Sequence, residues 1–339
     1  MFPISDHCDG TRFFNPGAAP RRGGALTILR WRLRGGRTQW PGSVENPRFV
    51  APPKPVEPGM VGVSFIGHAT FLLRLGGVTV LTDPIFSERC SPVSWAGPRR
   101  VRPPGLTLDE LPPIDVVLVS HNHYDHLDLP SLRRLRARDA PLVVTTLGNG
   151  RRIGRAGLDR IEELDWWQAT RFGALEVTAT QARHFSARTL FDRNRALWGG
   201  FMLRTGENRV LFAGDSGAGA HWDVIHERLG SPDLALLPIG AYEPRSIMAT
   251  AHMNPAEAVQ AHLALGAKRS IGMHFGTFQL TDEAIDAPLL ALEEATRRQG
   301  VTAFGTLEFG ETRCFPLGLA IAAEPGITGP TNQGQEKRP

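Results

Sequence analysis

The chain of 339 residues is 41% hydrophobic and 21% charged, a balance that suits a soluble globular enzyme and excludes the disordered and fibrous classes. Thirty-eight basic residues against 34 acidic ones leave a formal charge of +4, and only three of the basic residues are lysines (Lys54, Lys268, Lys337). No long Lys/Arg run concentrates that charge, so nothing in it argues for a nucleic-acid partner. Three cysteines lie far apart with no CxxC pair (Cys8, Cys90, Cys314) and build no disulfide framework, which points to a reducing compartment. The N-terminus lacks the basic and apolar regions of a secretory signal, and no apolar run approaches the roughly 18 residues that span a bilayer. A cytoplasmic protein is expected, with peripheral contact to the inner membrane face as its closest approach to lipid.

In chain order, residues 1–60 are rich in Pro, Gly and Arg and read as an arm packing on the domain. Within the arm, residues 25–34 (ALTILRWRLR) mix Leu26, Leu29, Trp31 and Leu33 with three arginines. Such a segment suits either an anionic membrane surface or a docked arm. Strands are expected at 61–66, 71–75 and 78–82, around the Gly67 and Gly76-Gly77 turns. The run Val116–Val119 reads as a buried strand, and Asp128 and Pro130 start a helix whose apolar face includes Leu132 and Leu135. Further strands are expected at 142–146, 175–179, 200–204, 210–213 and 234–239. Asn254-Pro255-Ala256-Glu257 is a capped helix start, running to Leu265 and stopped by Gly266. A last helix covers 288–299. The single domain spans 61–318, and 319–339 is expected to be a disordered tail.

The chemistry concentrates in His121-Asn122-His123-Tyr124-Asp125-His126, directly after the 116–119 strand. Three imidazoles and a carboxylate within six residues are costly unless a cation holds them. His121 and His123 point to one side of an extended backbone, and the turn that follows lets Asp125 and His126 face a second metal. Mixed imidazole and carboxylate donors suit Zn²⁺ and similar cations. Four ligands do not complete two sites. His184, Asp215 and His274, each a lone polar residue at a strand-to-loop junction, supply the remainder. Asp83 reads either as a carboxylate that fixes the tautomer of a ligand imidazole or as a turn-former before Pro84. Tyr124 and Trp198 read equally as pocket lining or core. His7, His221, His226 and His262 show no partner pattern and are taken as surface or helix residues.

HNHYDH resembles the HxHxDH motif of the metallo-β-lactamase fold. Gly67-His68-Ala69-Thr70, LTDPIFS at 81–87, PPID at 112–115, ELDWW at 163–167, Arg188-Thr189-Leu190, Leu197-Trp198-Gly199, IGAYEPR at 239–245 and HFGTF at 274–278 narrow the likeness. Together they resemble the family of N-acylphosphatidylethanolamine-hydrolysing phospholipases D, over residues 46–313. The resemblance implies an α/β (α+β) fold, an αβ/βα sandwich with metals at one edge. It implies one zinc on His121, His123 and His184, a second on Asp125, His126 and His274, and Asp215 bridging both. It further implies hydrolysis of an N-acylated phosphatidylethanolamine to phosphatidic acid and N-acylethanolamine, by attack of a metal-bridging hydroxide. Asp125 is expected to orient that water, and His68 and His252 to contact the substrate and polarise or protonate the leaving group.

A metal-dependent lactonase using the same residues is the alternative activity. A metal-stabilised binding protein is the non-enzymatic one, disfavoured because all seven ligand positions are filled. Monomer and homodimer are both left open.

Overall fold

Short strands with apolar residues at every second position set the architecture. In the computed structural model, which describes residues 1–17, 30–31, 35–49 and 56–318, they form two seven-stranded sheets. The first sheet contains β1 (Met60–Gly67), β2 (Thr70–Leu75), β3 (Val78–Thr82), β4 (Val116–Val119), β5 (Leu142–Thr146), β6 (Ile161–Leu164) and β14 (Thr312–Pro316). Its order is β14-β1-β2-β3-β4-β5-β6, antiparallel as far as β3 and parallel beyond. The second contains β7 (Ala169–Phe172), β8 (Leu175–Thr180), β9 (Gly200–Thr205), β10 (Asn208–Phe212), β11 (Leu234–Pro238), β12 (Arg269–Met273) and β13 (Phe304–Gly305). Its order, β13-β12-β11-β10-β9-β8-β7, repeats the scheme, with parallel pairs from β10 to β13.

The period-2 rule divides the central strands between two apolar layers. Val116 and Leu118 of β4 face the second sheet, in a core shared with Phe65, Phe71, Val177, Phe201 and Ile271. Val117 and Val119 face outward with Leu72, Leu81 and Val143, covered by Leu132 and Leu135 of α1 (Leu129–Arg138). The remaining helices are α2 (Gly150–Ile153), α3 (His221–Leu229), α4 (Arg245–Met248), α5 (Pro255–Ala264) and α6 (Ala287–Gln299). Asp128 caps α1 by accepting from Ser131 N–H, and Asn254 and Glu257 cap α5 reciprocally at 2.8 and 2.9 Å. No helix among the described residues is long and apolar enough to cross a membrane.

β6, β7, β13 and β14 were not expected. β6 reads Ile-Glu-Glu-Leu with both glutamates exposed, and β6 and β7 each end a sheet, where charge replaces the alternation that announces a strand. The N-terminal segment packs Cys8 and Phe13 into a cluster with Trp166, Ala182, Leu197 and Trp198. Farther along the arm, the Trp31 indole donates to Asp282 Oδ2 (2.6 Å) and that of Trp40 to the Glu283 carbonyl (2.8 Å). Most of the amphipathic stretch at 25–34, and all of 319–339, lie outside the described residues.

Three histidines taken as surface or helix residues are buried. His7 bonds Asp165 (2.8 Å) and stacks on Trp166; His221 and His262 lie on helices but point inward, bonding Ser216 (2.9 Å) and Ser270 (2.8 Å). Trp198 is core, not pocket lining.

Candidate metal centre

The strand ends and turns at one edge of the two sheets carry HNHYDH together with His68, Asp83, His184, Asp215 and His274, while His252 lies in the loop between α4 and α5. β4 delivers Ser120 and the HNHYDH run; β3 delivers Asp83; the β1–β2 turn holds His68. The loops after β8, β10 and β12 hold His184, Asp215 and His274. His68, Asp83 and His274 have φ of 57°, 31° and 65°, in the left-handed region that non-glycine residues avoid and that clusters at functional sites. Gly214 (φ 59°) precedes Asp215, and a Cβ there would lie 2.6 Å from the Gly199 carbonyl and 2.8 Å from Ser120 Cβ. A glycine is what lets the Asp215 loop come this close to the HNHYDH loop.

Two groups of candidate donor atoms meet at Asp215. In the first, His123 Nδ1 lies 2.9 Å from His121 Nε2 and 3.1 Å from His184 Nε2. In the second, His126 Nε2 and His274 Nε2 are each 3.3 Å from Asp125 Oδ2. Asp215 Oδ2 is 3.1 and 3.2 Å from that second pair, and 4.0 and 3.8 Å from the Nε2 atoms of His121 and His184. His68, read as a substrate contact, bonds Asp125 Oδ2 through Nε2 (3.0 Å) and falls within the second group. His252 is half-buried, 5.0 Å ring to ring from His184, and its Nδ1 has no hydrogen-bond partner.

Neighbouring groups decide which nitrogen of each ring is free. The Ala251 carbonyl only accepts, so His184 donates to it through Nδ1 (2.9 Å) and turns the lone pair of Nε2 inward. Asp83 Oδ2 accepts from His126 Nδ1 and from Ser120 Oγ, both at 2.6 Å, while Oδ1 accepts from Ser120 N–H (2.7 Å). With its own proton committed to Asp83, the Ser120 oxygen accepts from His121 Nδ1 (2.9 Å). One buried carboxylate thereby orients an imidazole of each group, the tautomer-fixing alternative for Asp83.

The donors fit metal ions. In the first group three ring nitrogens converge where a proton could serve only one contact, whereas a cation serves all three. In the second, His126 Nε2 and His274 Nε2 are buried without a hydrogen bond although carboxylate oxygens surround them. Burial opposes charge on His126 and His274, yet the carboxylates outweigh it. Asp215, Asp125 and Asp83 hold His126 well above the ordinary imidazole range, and Asp215 and Asp125 raise His274 to about 9. Burial and neighbouring histidines hold His121 well below that range, and burial takes His123 to about 4 and His184 to about 3. Burial likewise lowers His68 and His252 to about 3, so both are neutral imidazoles.

Besides Ser120, three supporting residues were not given roles from the sequence. Arg188 Nη1 donates to the carbonyls of Asn122 (2.9 Å) and Leu127 (2.7 Å), clamping the HNHYDH turn. Arg245 pairs with both oxygens of Glu257 and donates to the His252 carbonyl (3.0 Å). Asn15 donates to the His184 carbonyl (2.9 Å). Arg188 and Arg245 stand inside motifs that carried the family resemblance; Asn15 had no signal, because its partner is 169 residues away.

Comparison with known proteins gives a consistent picture. The family described as "Beta-lactamase superfamily domain" matches residues 78–275. N-acyl-phosphatidylethanolamine-hydrolyzing phospholipase D 1 of Caenorhabditis elegans is 38% identical, over 73% of this chain and 74% of its own length. A metal-dependent hydrolase of Pyrobaculum islandicum is 31% identical, over 64% of this chain and 85% of its own. Among solved structures, the metallo hydrolase Igni18 of Ignicoccus hospitalis superposes with a TM-score of 0.57 at 22% identity, covering 76% of this chain and 98% of its own.

Proposed function

The chain belongs to the β-lactamase superfamily of metal-dependent hydrolases, and from that premise we propose that it is a phospholipase D-type phosphodiesterase. Its substrate is an N-acylated phosphatidylethanolamine, released as phosphatidic acid and N-acylethanolamine. The observation that carries this reading is the sharing of Asp215 Oδ2 by two sets of donors, which suits two divalent cations acting on one phosphoryl group. One ion would be held by His121, His123 and His184 and the other by Asp125, His126 and His274, with Asp215 common to both; the donor types suit Zn²⁺. Such ions supply Lewis-acid stabilisation of the charge that builds on a phosphoryl oxygen, and they lower the pKa of water enough for it to attack phosphorus at neutral pH. The similarity to the C. elegans phospholipase D over about three quarters of both chains supports the lipid.

The protein's own residues divide the remaining work. His68 is neutral and donates to Asp125 Oδ2, holding that carboxylate in one rotamer. His252 is neutral, half-buried and without a partner at Nδ1, so it is placed to donate a hydrogen bond to the leaving oxygen and polarise it. Arg245 keeps it there through its carbonyl. In the balanced reaction, water gives its oxygen to phosphatidic acid and a proton to the departing alcohol. Residues 61–318 form the hydrolase domain, and the described parts of 1–60 pack on it as an arm.

Hydrolysis of the lipid in mixed micelles in ¹⁸O-water, beside an Asp215→Asn control, tests the reading. Label in phosphatidic acid from the intact protein alone supports it. No product from fully metal-loaded protein refutes the substrate, and acyl-lactones then become the assay.

A further inference from the structure

Two large apolar side chains stand in water beside the candidate centre. Leu190 and Phe191 are 92% and 84% exposed. Their loop is nevertheless firmly built. Asp192 Oδ1 accepts from the N–H groups of Arg188 (2.9 Å) and Thr189 (2.7 Å), and its other oxygen pairs with Arg152 of α2. Asn194 N–H donates to the Ser186 carbonyl (2.8 Å), and Ser186 Oγ to that of Ala196 (2.6 Å). A loop fixed at both ends that presents adjacent leucine and phenylalanine to solvent marks a surface made for a partner.

The loop is tied to the site. It begins just after His184; Arg188 grips the HNHYDH turn and stacks on Tyr124, whose hydroxyl donates to the Arg188 carbonyl (3.1 Å). The loop after β3 carries a second exposed aromatic. Trp95 is 80% exposed, in the loop whose Cys90 joins Ile85 and Phe278 in the cluster that Tyr124 packs against. Charge surrounds these apolar tips. Arg193 and Arg195 lie two and four residues after Phe191, Arg193 half-buried over the Phe185 ring (4.4 Å) and Arg195 exposed; Arg151 is exposed on α2, and Asp192 is already neutralised by Arg152. Apolar tips ringed by arginines complement a lipid surface that carries phosphate outside and acyl chains within.

We propose that this patch docks the protein on a phospholipid bilayer. Leu190 and Phe191 enter the acyl boundary, and Arg193 and Arg195 meet headgroup phosphates. The inference takes its partner from the phospholipid reading above, and it rests on residues other than the arm segment at 25–34.

The test is co-sedimentation of the full chain with vesicles of phosphatidylcholine alone or mixed with phosphatidylglycerol. Metal content and unfolding midpoint are checked for each variant. Withdrawing two large apolar side chains from lipid should weaken partitioning of the Leu190→Ser/Phe191→Ser variant by about 100-fold or more on both vesicle types. Arg193→Glu/Arg195→Glu should weaken it about tenfold or more on the anionic vesicles, and less as salt is raised. Equal partitioning of the Leu190/Phe191 variant and the parent chain overturns the proposal. So does a parent chain that ignores vesicles but self-associates through Leu190 and Phe191 in sedimentation velocity, which would make the patch a protein contact. Binding is read without catalysis. Vesicle binding lost in the variant with no lipid hydrolysis by the parent supports the surface and fails the substrate. Hydrolysis in micelles with unchanged vesicle binding does the reverse.

Discussion

Asp83→Asn changes one buried oxygen to nitrogen and asks whether a single carboxylate orients both sets of donors. Asp83 receives three donors: Ser120 N–H on Oδ1, and His126 Nδ1 with Ser120 Oγ on Oδ2. Neither orientation of an amide satisfies them. With its NH₂ in the Oδ2 position it faces two donors, and in the Oδ1 position it faces the Ser120 N–H. One unpaired buried donor costs about 1–3 kcal/mol, which the metal-free protein should show as lower stability toward urea. The cheapest escape is for His126, a cation in the metal-free protein, to give up its Nδ1 proton and settle as the neutral Nε2–H tautomer. That removes the lone pair facing Asp215 and Asp125, so affinity for the ion on Asp125, His126 and His274 should fall about 10–100-fold. The three-imidazole set feels the change only through Ser120, and should weaken less. Competition with a chromophoric chelator, resolved into two binding steps, measures both. Ser120→Ala is the companion: it frees His121 Nδ1 and spares the His126–Asp83 bond, so it should weaken the three-imidazole step selectively. Because both variants break one network, their effects should combine less than additively. Two metals bound by Asp83→Asn with parental affinities and an unchanged urea midpoint would refute the orientation argument.

Other expectations follow from the same geometry. Chelation should abolish hydrolysis and lower the unfolding midpoint, since one site filled at a hundredfold over its Kd is worth about 2.7 kcal/mol; an unmoved midpoint would count against the ligand assignment. His252→Gln should lower kcat about 100-fold with metal content intact, because the residue polarises the leaving group without holding an ion; lost metal would contradict that role. His262 is buried against Ser270 Oγ, and burial lowers its pKa from the ordinary 6.5 to about 4, so the unfolded chain takes up this proton first as pH falls. Its contribution is therefore complete above pH 6.5 and is lost between 6.5 and about 4, at roughly 1.4 kcal/mol per pH unit. His262→Gln should flatten the dependence of unfolding free energy on pH by one proton in that window, and an identical slope in metal-free parent and variant would refute the burial argument.

What could be read in the sequence was local or repeated. Four apolar residues ending in HNHYDH announce a strand that delivers ligands, and the caps at Asp128 and Asn254 lie within three residues of their partners. His184, Asp215 and His274 were each ambiguous alone and became legible only as a set beside HNHYDH, since all follow strand-like runs. What escaped depends on contacts distant in the chain. His7, His221 and His262 look like surface residues because a histidine's burial is decided by Asp165, Ser216 and Ser270, none of which follows a periodic pattern. Ser120 escaped for a different reason: its hydroxyl acquires a role only when β3 lies against β4 and brings Asp83 within 2.6 Å. Tertiary contacts likewise account for the backbone at His68, Asp83 and His274. Local preference would put glycine or asparagine in those left-handed positions, and imidazole and carboxylate stand there instead. The His274 N–H bonds the His68 carbonyl at 2.8 Å, and Asp83 is held by three donors, so tertiary contacts oppose the local penalty. Residues that break the local rule and are held by distant partners gather around the second group of donors: His274 faces Asp215, His68 bonds Asp125 and Asp83 orients His126, which is why the chemistry of this edge was easier to see than its geometry.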